Sequence, residues 1–167
     1  MRRVLAVITA LAVALAANFT FVTAKSDTSA RAAVVMDVKT GRILYSKNMN
    51  EKLPMASTTK IMTALIAIES GRLNETVKVS KKASMVEGSS IYLREGEKHP
   101  LEDLVYALML RSGNDAATAI AEHLGGTVEN FVAMMNEKAR EIGAKDTHFA
   151  NPHGLDAEGH YTTAHDL

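Results

Sequence analysis

A hydroxyl and an amine stand three residues apart in the stretch Met55-Ala56-Ser57-Thr58-Thr59-Lys60-Ile61-Met62. After Lys60 the chain is almost wholly apolar to Ile68, with no Gly or Pro before Gly71, which predicts a helix buried on most sides. On a helix this spacing puts Ser57 and Lys60 on one face, within side-chain reach. Burial at the mouth of such a helix disfavours the charged form of a lysine. A neutral amine beside a hydroxyl is a general base beside a nucleophile. Yet a Ser-x-x-Lys spacing arises by chance roughly once in a chain this long at average residue usage. The pair needs company before it means catalysis.

Company comes 55 residues later, at Ser112-Gly113-Asn114. Gly and Asn are poor in helices and good in turns, so the triplet reads as a short interruption between two helices. Such a turn can present a hydroxyl and a primary amide side by side, and the amide both donates and accepts hydrogen bonds. Taken alone it is an ordinary inter-helix turn.

The elements that must position these groups follow from the pattern. Ala32–Asp37 is a β-branched run, and Lys39-Thr40-Gly41 turns it into Arg42–Ser46, which together predict a hairpin. Pro54 sits just ahead of the buried helix. Thr76–Ser80 alternates as a short strand, and Gly88–Gly96 reads as a loop around Ile91-Tyr92-Leu93. After Pro100, apolar residues at 101, 104, 105, 108 and 109 define a helical face. Asp115 is expected to cap a second helix running to His123 and closed by Gly125-Gly126. Thr127 with Asn130 gives a partial capping pattern for a third, ended by Gly143. From Ala144 onward the chain is loop-rich, with a turn at Asn151-Pro152-His153-Gly154. Two strands do not make a stable sheet alone, and their edges would lie unpaired, so something has to complete this one. Thr162–Leu167 looks like the first turn of a further helix, and the sequence reads as C-terminally truncated.

Composition narrows the class. In 167 residues, 19 Lys and Arg balance 19 Asp and Glu, which lacks the basic bias of nucleic-acid binding. Apolar content of 47% is enough for a core, while 5% aromatic residues and no Trp argue against a stacking platform. Cys is absent, which removes disulfides, thiolate metal sites and cysteine nucleophiles together. Arg2 and Arg3, the apolar run Val4–Ala17 and the ending Val22-Thr23-Ala24 have the order of a secretory signal, residues 1–24, cleaved after Ala24. The run is short for a membrane span, with an uncleaved anchor as the alternative. The mature chain is expected to be secreted and to work outside the cytoplasm, in the cell envelope.

Pro54–Ala64 and Leu110–Ala117 together resemble the first two motifs of the low-molecular-mass penicillin-binding proteins, the serine D-alanyl-D-alanine carboxypeptidases of peptidase family S11. The hairpin Ala33–Ser46, Gly88-Ser89-Ser90, Asn151–Leu155 and Tyr161–Ala164 are similar to that family as well, so the resemblance covers nearly all of residues 30–167. It implies an α/β (α+β) fold of the β-lactamase/penicillin-binding-protein transpeptidase type, an antiparallel sheet with a helical subdomain, of which residues 25–167 are the N-terminal part of the catalytic domain. It also implies roles. Ser57 would attack the carbonyl between two terminal D-alanines, Lys60 would be the general base, and Ser112 would relay a proton to the leaving D-alanine. Asn114 would hold the substrate's amide, and the Ser57 backbone N–H would be one oxyanion donor. The implied partners are peptidoglycan stem peptides and β-lactam antibiotics, with roles in cell-wall biogenesis and cell shape. Peripheral membrane attachment through a C-terminal extension is a further possibility in that family. No cofactor, metal or nucleic acid is implied.

The family's third motif, Lys-Thr-Gly on a strand after the helical region, does not follow Asn114 here. Lys39-Thr40-Gly41 lies upstream, at the hairpin turn, and is assigned no catalytic role. The expectation is that residues 25–167 alone cannot complete an oxyanion hole. Three alternative readings share part of the pattern. A class A β-lactamase shares the first two motifs but needs a glutamate for the deacylating water, and no Glu-x-x-Leu-Asn pattern follows Asn114. His148, His153, His160 and His165 with Asp156 and Asp166 have the chemistry of zinc ligands, but irregular spacing in a loop favours turn and surface roles. A non-enzymatic penicillin-binding sensor or scaffold is the third.

Overall fold

The computed structural model describes residues 28–167, so the signal-like segment 1–24 lies outside the described residues. Residues Arg31–Leu167 fold as one unit. The β-branched run becomes β1, Ala33–Met36, paired antiparallel with β2, Ile43–Lys47, in the register Ala33↔Lys47, Val34↔Ser46 and Val35↔Tyr45. The turn between them closes because the Asp37 carboxylate accepts from the N–H and hydroxyl of Thr40, at 2.8 and 2.6 Å, while Gly41 adopts φ +68°. The Thr40 hydrogen bonds hold the Asp37 carboxyl below its ordinary pKa. Lys39-Thr40-Gly41 is thus a turn, as expected.

The buried helix begins later than the sequence suggested. A single 3₁₀ turn, Ala56–Thr58, carries Ser57, and α1 runs Thr59–Glu69. Its inward face is Thr59, Lys60, Met62, Thr63, Ala64, Ile66 and Ala67, while Ile61 and Ile68 point outward at 52% and 54% exposure. Next come β3, Thr76–Lys78, a short α2, Lys81–Ser84, and β4, Lys98–Pro100, which pairs antiparallel with β3. The sequence had shown only the first of these. The two strand pairs form separate two-stranded sheets.

Three helices complete the fold: α3, Leu101–Arg111, α4, Asn114–Gly125, and α5, Val128–Glu141. Helix α4 is central. It packs against α3, α5 and α1, and every residue from Asn114 to Ala121 is buried. Its small residues permit close approach: a Cβ on Gly125 would stand 2.7 Å from the Phe131 backbone nitrogen. The core around it contains Val77, Leu101, Leu104, Leu108, Ile120, Phe131 and Met135, each at 1% exposure or less. Thr127 caps α5, its hydroxyl accepting the Asn130 N–H at 3.1 Å. Asp115 differs from expectation. The N-cap of α4 is Gly113, and the Asp115 side chain lies in the first turn, committed mainly to the 90–93 loop.

The C-terminal segment folds back onto the start of α1. Leu53 and Thr162 exchange backbone hydrogen bonds at 2.8 and 3.0 Å, and the Thr63 hydroxyl donates to the Pro152 carbonyl at 2.7 Å. Thr163–Leu167 closes one helical turn, with the Thr163 hydroxyl accepting the Asp166 N–H. Among the described residues no helix is long and apolar enough to cross a membrane, and no buried side-chain polar atom lacks a partner.

Candidate active site

Three chain segments converge on Ser57. Its Oγ lies 3.3 Å from Lys60 Nζ and accepts a hydrogen bond from Ser112 Oγ at 2.9 Å. The Ser57 side chain is exposed, so a ligand can reach it, whereas Lys60 is 3% exposed. Burial is what pushes the Lys60 amine below its ordinary pKa. The third segment is the turn at 151–154: Lys60 Nζ donates to the His153 carbonyl at 2.5 Å. A carbonyl only accepts, so it can hold one N–H of Lys60 in either protonation state, and once the amine gives up a proton its lone pair is free to face Ser57. The three sequence-predicted groups, Ser57, Lys60 and Ser112, therefore meet at one point.

Backbone geometry explains how. Ala56 and Ser112, neither a glycine, sit at φ +44° and +57°. Each left-handed residue of this kind costs about 1–2 kcal/mol and persists where its surroundings enforce it. At Ala56 the enforcing neighbour is Gly154, at φ +92°, packed so closely that a Cβ there would stand 1.9 Å from the Ala56 carbonyl oxygen. At Ser112 the chain leaves α3 in a left-handed C-cap and restarts as α4 two residues later, which turns the hydroxyl toward Ser57.

Asn114 is 3% exposed, and its Nδ2 donates to the Glu87 carbonyl at 2.7 Å. Since that carbonyl can only accept, the amide orientation is set, and Oδ1 points the other way. Its backbone N–H donates to the Ser89 carbonyl at 2.7 Å. Gly88 is required here, because a Cβ would lie 2.7 Å from Asn114 Nδ2, and the same position faces Leu155 at 3.6 Å. Loop 87–93 thus lies between the Ser112 turn and the 151–155 turn.

Of the two histidines near this site, which the sequence gave turn and surface roles, His153 does stand in the 151–154 turn, but His160 is buried rather than on the surface. His160 is 6% exposed; its Nδ1 accepts the Ala150 N–H at 2.9 Å, so Nε2 carries the hydrogen and donates to Thr59 Oγ1 at 2.8 Å. Burial pushes its pKa down, with His148 adding to this and Asp156 opposing it. His153 is held down to about 4, by burial first, then by the Lys60 charge and by His160. Both rings are therefore neutral at pH 7 and act as supports. The signals for them were the turn 151–154 and the cluster of four histidines after Thr147, neither of which shows what the rings touch.

A strand hairpin, a buried helix with Ser57 in the turn just before it, and a helical cluster that brings Ser112 against Ser57 make up a fold of the penicillin-binding-protein and β-lactamase transpeptidase type. Comparison with known proteins agrees. The family model described as D-alanyl-D-alanine carboxypeptidase, peptidase S11, matches residues 19–167, and the chain belongs to that family. It is 43% identical over 143 residues to the D-alanyl-D-alanine carboxypeptidase DacF of Bacillus subtilis, covering 83% of this chain and 37% of DacF. To DacC of Escherichia coli it is 37% identical over 149 residues, with the same coverages of 83% and 37%. Among solved structures, DacD from Francisella tularensis superposes with a TM-score of 0.79 at 43% identity, over 84% of this chain and 35% of that one. Penicillin binding protein 5 from Haemophilus influenzae gives 0.79 at 34% identity, over 84% and 43%. The chain spans a little over a third of the length of the two curated relatives, 37% of each.

Proposed function

We propose that the protein is a serine-type D-alanyl-D-alanine carboxypeptidase that removes the terminal D-alanine of peptidoglycan stem peptides through an acyl-enzyme on Ser57. The observation that carries this reading is the placement of Ser57 Oγ between a buried amine at 3.3 Å and a second hydroxyl at 2.9 Å. Ser57 Oγ attacks the carbonyl carbon between the two D-alanines, and its proton passes to the neutral Lys60 amine. The tetrahedral intermediate, its oxyanion met by the Ser57 N–H, collapses as the C–N bond breaks. The leaving amine takes a proton relayed through Ser112, and D-alanine departs. Water then attacks the ester, Lys60 accepts its proton, and Ser57 is released. Asn114 offers Oδ1 and its second amide hydrogen to the substrate's peptide groups.

A β-lactam carries a strained amide that Ser57 opens in the same way, so penicillins would acylate the site. The signal-like order of residues 1–24 supports action outside the cytoplasm, in building the cell wall. The test is release of D-alanine from a peptide ending in D-alanyl-D-alanine. The full-length protein should release it and the Ser57→Ala protein should not. Equal release by both would overturn the assignment of Ser57.

A further inference from the structure

Asp115 is a fully buried carboxylate, 1% exposed, that takes no part in the chemistry above. Its Oδ2 accepts from the Ser90 hydroxyl at 2.7 Å and from the Leu93 N–H at 3.0 Å. The Ile91 N–H reaches both oxygens, at 3.2 and 3.1 Å, and Oδ1 accepts the N–H of Ala116 at 2.9 Å. Burial alone would raise this carboxyl's pKa, but the hydrogen bonds from Ser90, Leu93, Ile91 and Ala116 outweigh it, so the group stays ionised. The donors come from two places. One is its own helix, and the rest lie 22 to 25 residues upstream, in loop 87–93.

What the carboxylate fastens is the wall of the site. The residue before it, Asn114, is tied to the same loop through the carbonyls of Glu87 and Ser89. One residue further back, Gly113 packs on Ile91, where its Cβ position lies 3.5 Å from Ile91 Cγ2. Between the two loop N–H groups that Asp115 captures, those of Ile91 and Leu93, Tyr92 is forced to φ +63°, with its own N–H on Ser90 Oγ at 2.8 Å. A strained residue flanked on both sides by donors to one buried charge is a loop whose shape is imposed, not chosen by its sequence.

We infer that Asp115 is a positioning residue for acylation: by clamping loop 87–93 onto the first turn of α4, it sets where Asn114 and Ser112 stand relative to Ser57. The inference rests on the acyl-enzyme reading of Ser57. Asp115→Asn keeps the size but places an amide donor against donors, so the loop must shift. Small misplacements of positioned groups cost rate steeply, by up to about a hundredfold for 1 Å.

The test uses the full-length protein, a fluorescent penicillin and the rate of adduct formation, at a temperature where circular dichroism shows each variant folded. Asp115→Asn is expected to acylate about ten- to a hundredfold more slowly than wild type. Ser90→Ala, which removes one donor and leaves the charge, is expected to be slower by about three- to tenfold and carries the test if Asp115→Asn does not fold. A folded variant of either kind that acylates at the wild-type rate overturns the inference. No adduct in wild type would instead overturn the acyl-enzyme reading. In that case amide exchange decides the clamp: faster exchange at Ile91, Leu93 and Asn114 in Asp115→Asn supports it, and unchanged protection at Asn114 overturns it.

Discussion

Gly154→Ala offers a direct measure of how tightly the 151–154 turn is seated on the nucleophile's backbone. Two costs are separable. The first is conformational: alanine at φ +92° is in a region that L-residues avoid, at about 1–2 kcal/mol. The second is contact. The added Cβ would stand 1.9 Å from the Ala56 carbonyl oxygen and 2.5 Å from its carbon, where real contacts stay beyond 3.0 Å, so the turn must retreat. Forcing atoms into a packed site costs about 1–3 kcal/mol, and backbone yields less readily than side chain, so the upper half applies. The expected sum is about 3–5 kcal/mol. Gly143→Ala is the control: at φ +85° it has the same conformational cost, but nothing lies within 4 Å of its Cβ. It should lose only about 1–2 kcal/mol. Urea unfolding followed by far-UV circular dichroism suits a chain without Trp. Destabilisations within about 0.5 kcal/mol of each other would refute the reasoning, because the close approach to Ala56 would then carry no cost.

Phe131→Ala removes the largest fully buried side chain among the described residues and should cost about 3–5 kcal/mol in the same unfolding assay. Acid should destabilise the fold in two stages, read as the urea midpoint against pH. His153 is neutral in the folded state down to about 4 but titrates near 6.5 when unfolded, so the unfolded state binds more protons in that window and stability falls as pH drops through it. The full shift corresponds to about 3 kcal/mol, reduced to about 1–2 by partial solvent screening, and His160 adds in the same direction. Below that, Asp115 and Glu75, whose pKa values are lowered, contribute stability that is lost as pH falls through their folded values, to about 2 for Glu75. Acylation should rise with pH as Lys60 loses its proton below the ordinary lysine range, and Lys60→Arg should be inactive at every pH because guanidinium stays charged. A flat acylation profile, or an active Lys60→Arg protein, would remove Lys60 as the base.

The parts of the fold that repeat a pattern were legible in the sequence. Apolar positions 101, 104, 105 and 108 gave α3, Thr127 and Gly143 bounded α5, and the β-branched run gave the hairpin with nearly its final ends. Short elements were not. β4, Lys98–Pro100, and α2, Lys81–Ser84, are too brief for periodicity to register, and pairing across the fold makes them. Likewise Ser57, Lys60 and Ser112 stood out only when the two motifs were read together and matched to the family, since each pattern alone is common. The residues that hold them did not stand out. Asp115 looked like a helix cap because Asp is favoured there, yet all its partners but the Ala116 N–H lie more than 20 residues away in a loop. The carbonyl of His153 and the ring of His160 reach α1 only after the chain folds back over about 90 to 100 residues. Backbone carbonyls leave no trace in a sequence, and neither does the left-handed turn at Ala56.

The central claim is that Ser57 is an acylated nucleophile, activated by Lys60 and Ser112. Its most direct measurement is mass spectrometry of the full-length protein after exposure to benzylpenicillin, with peptide mapping of the adduct. One penicilloyl group per chain, located on Ser57 and absent in both Ser57→Ala and Lys60→Ala, is the predicted result. An adduct on any other residue, or one that survives in Ser57→Ala, would contradict it.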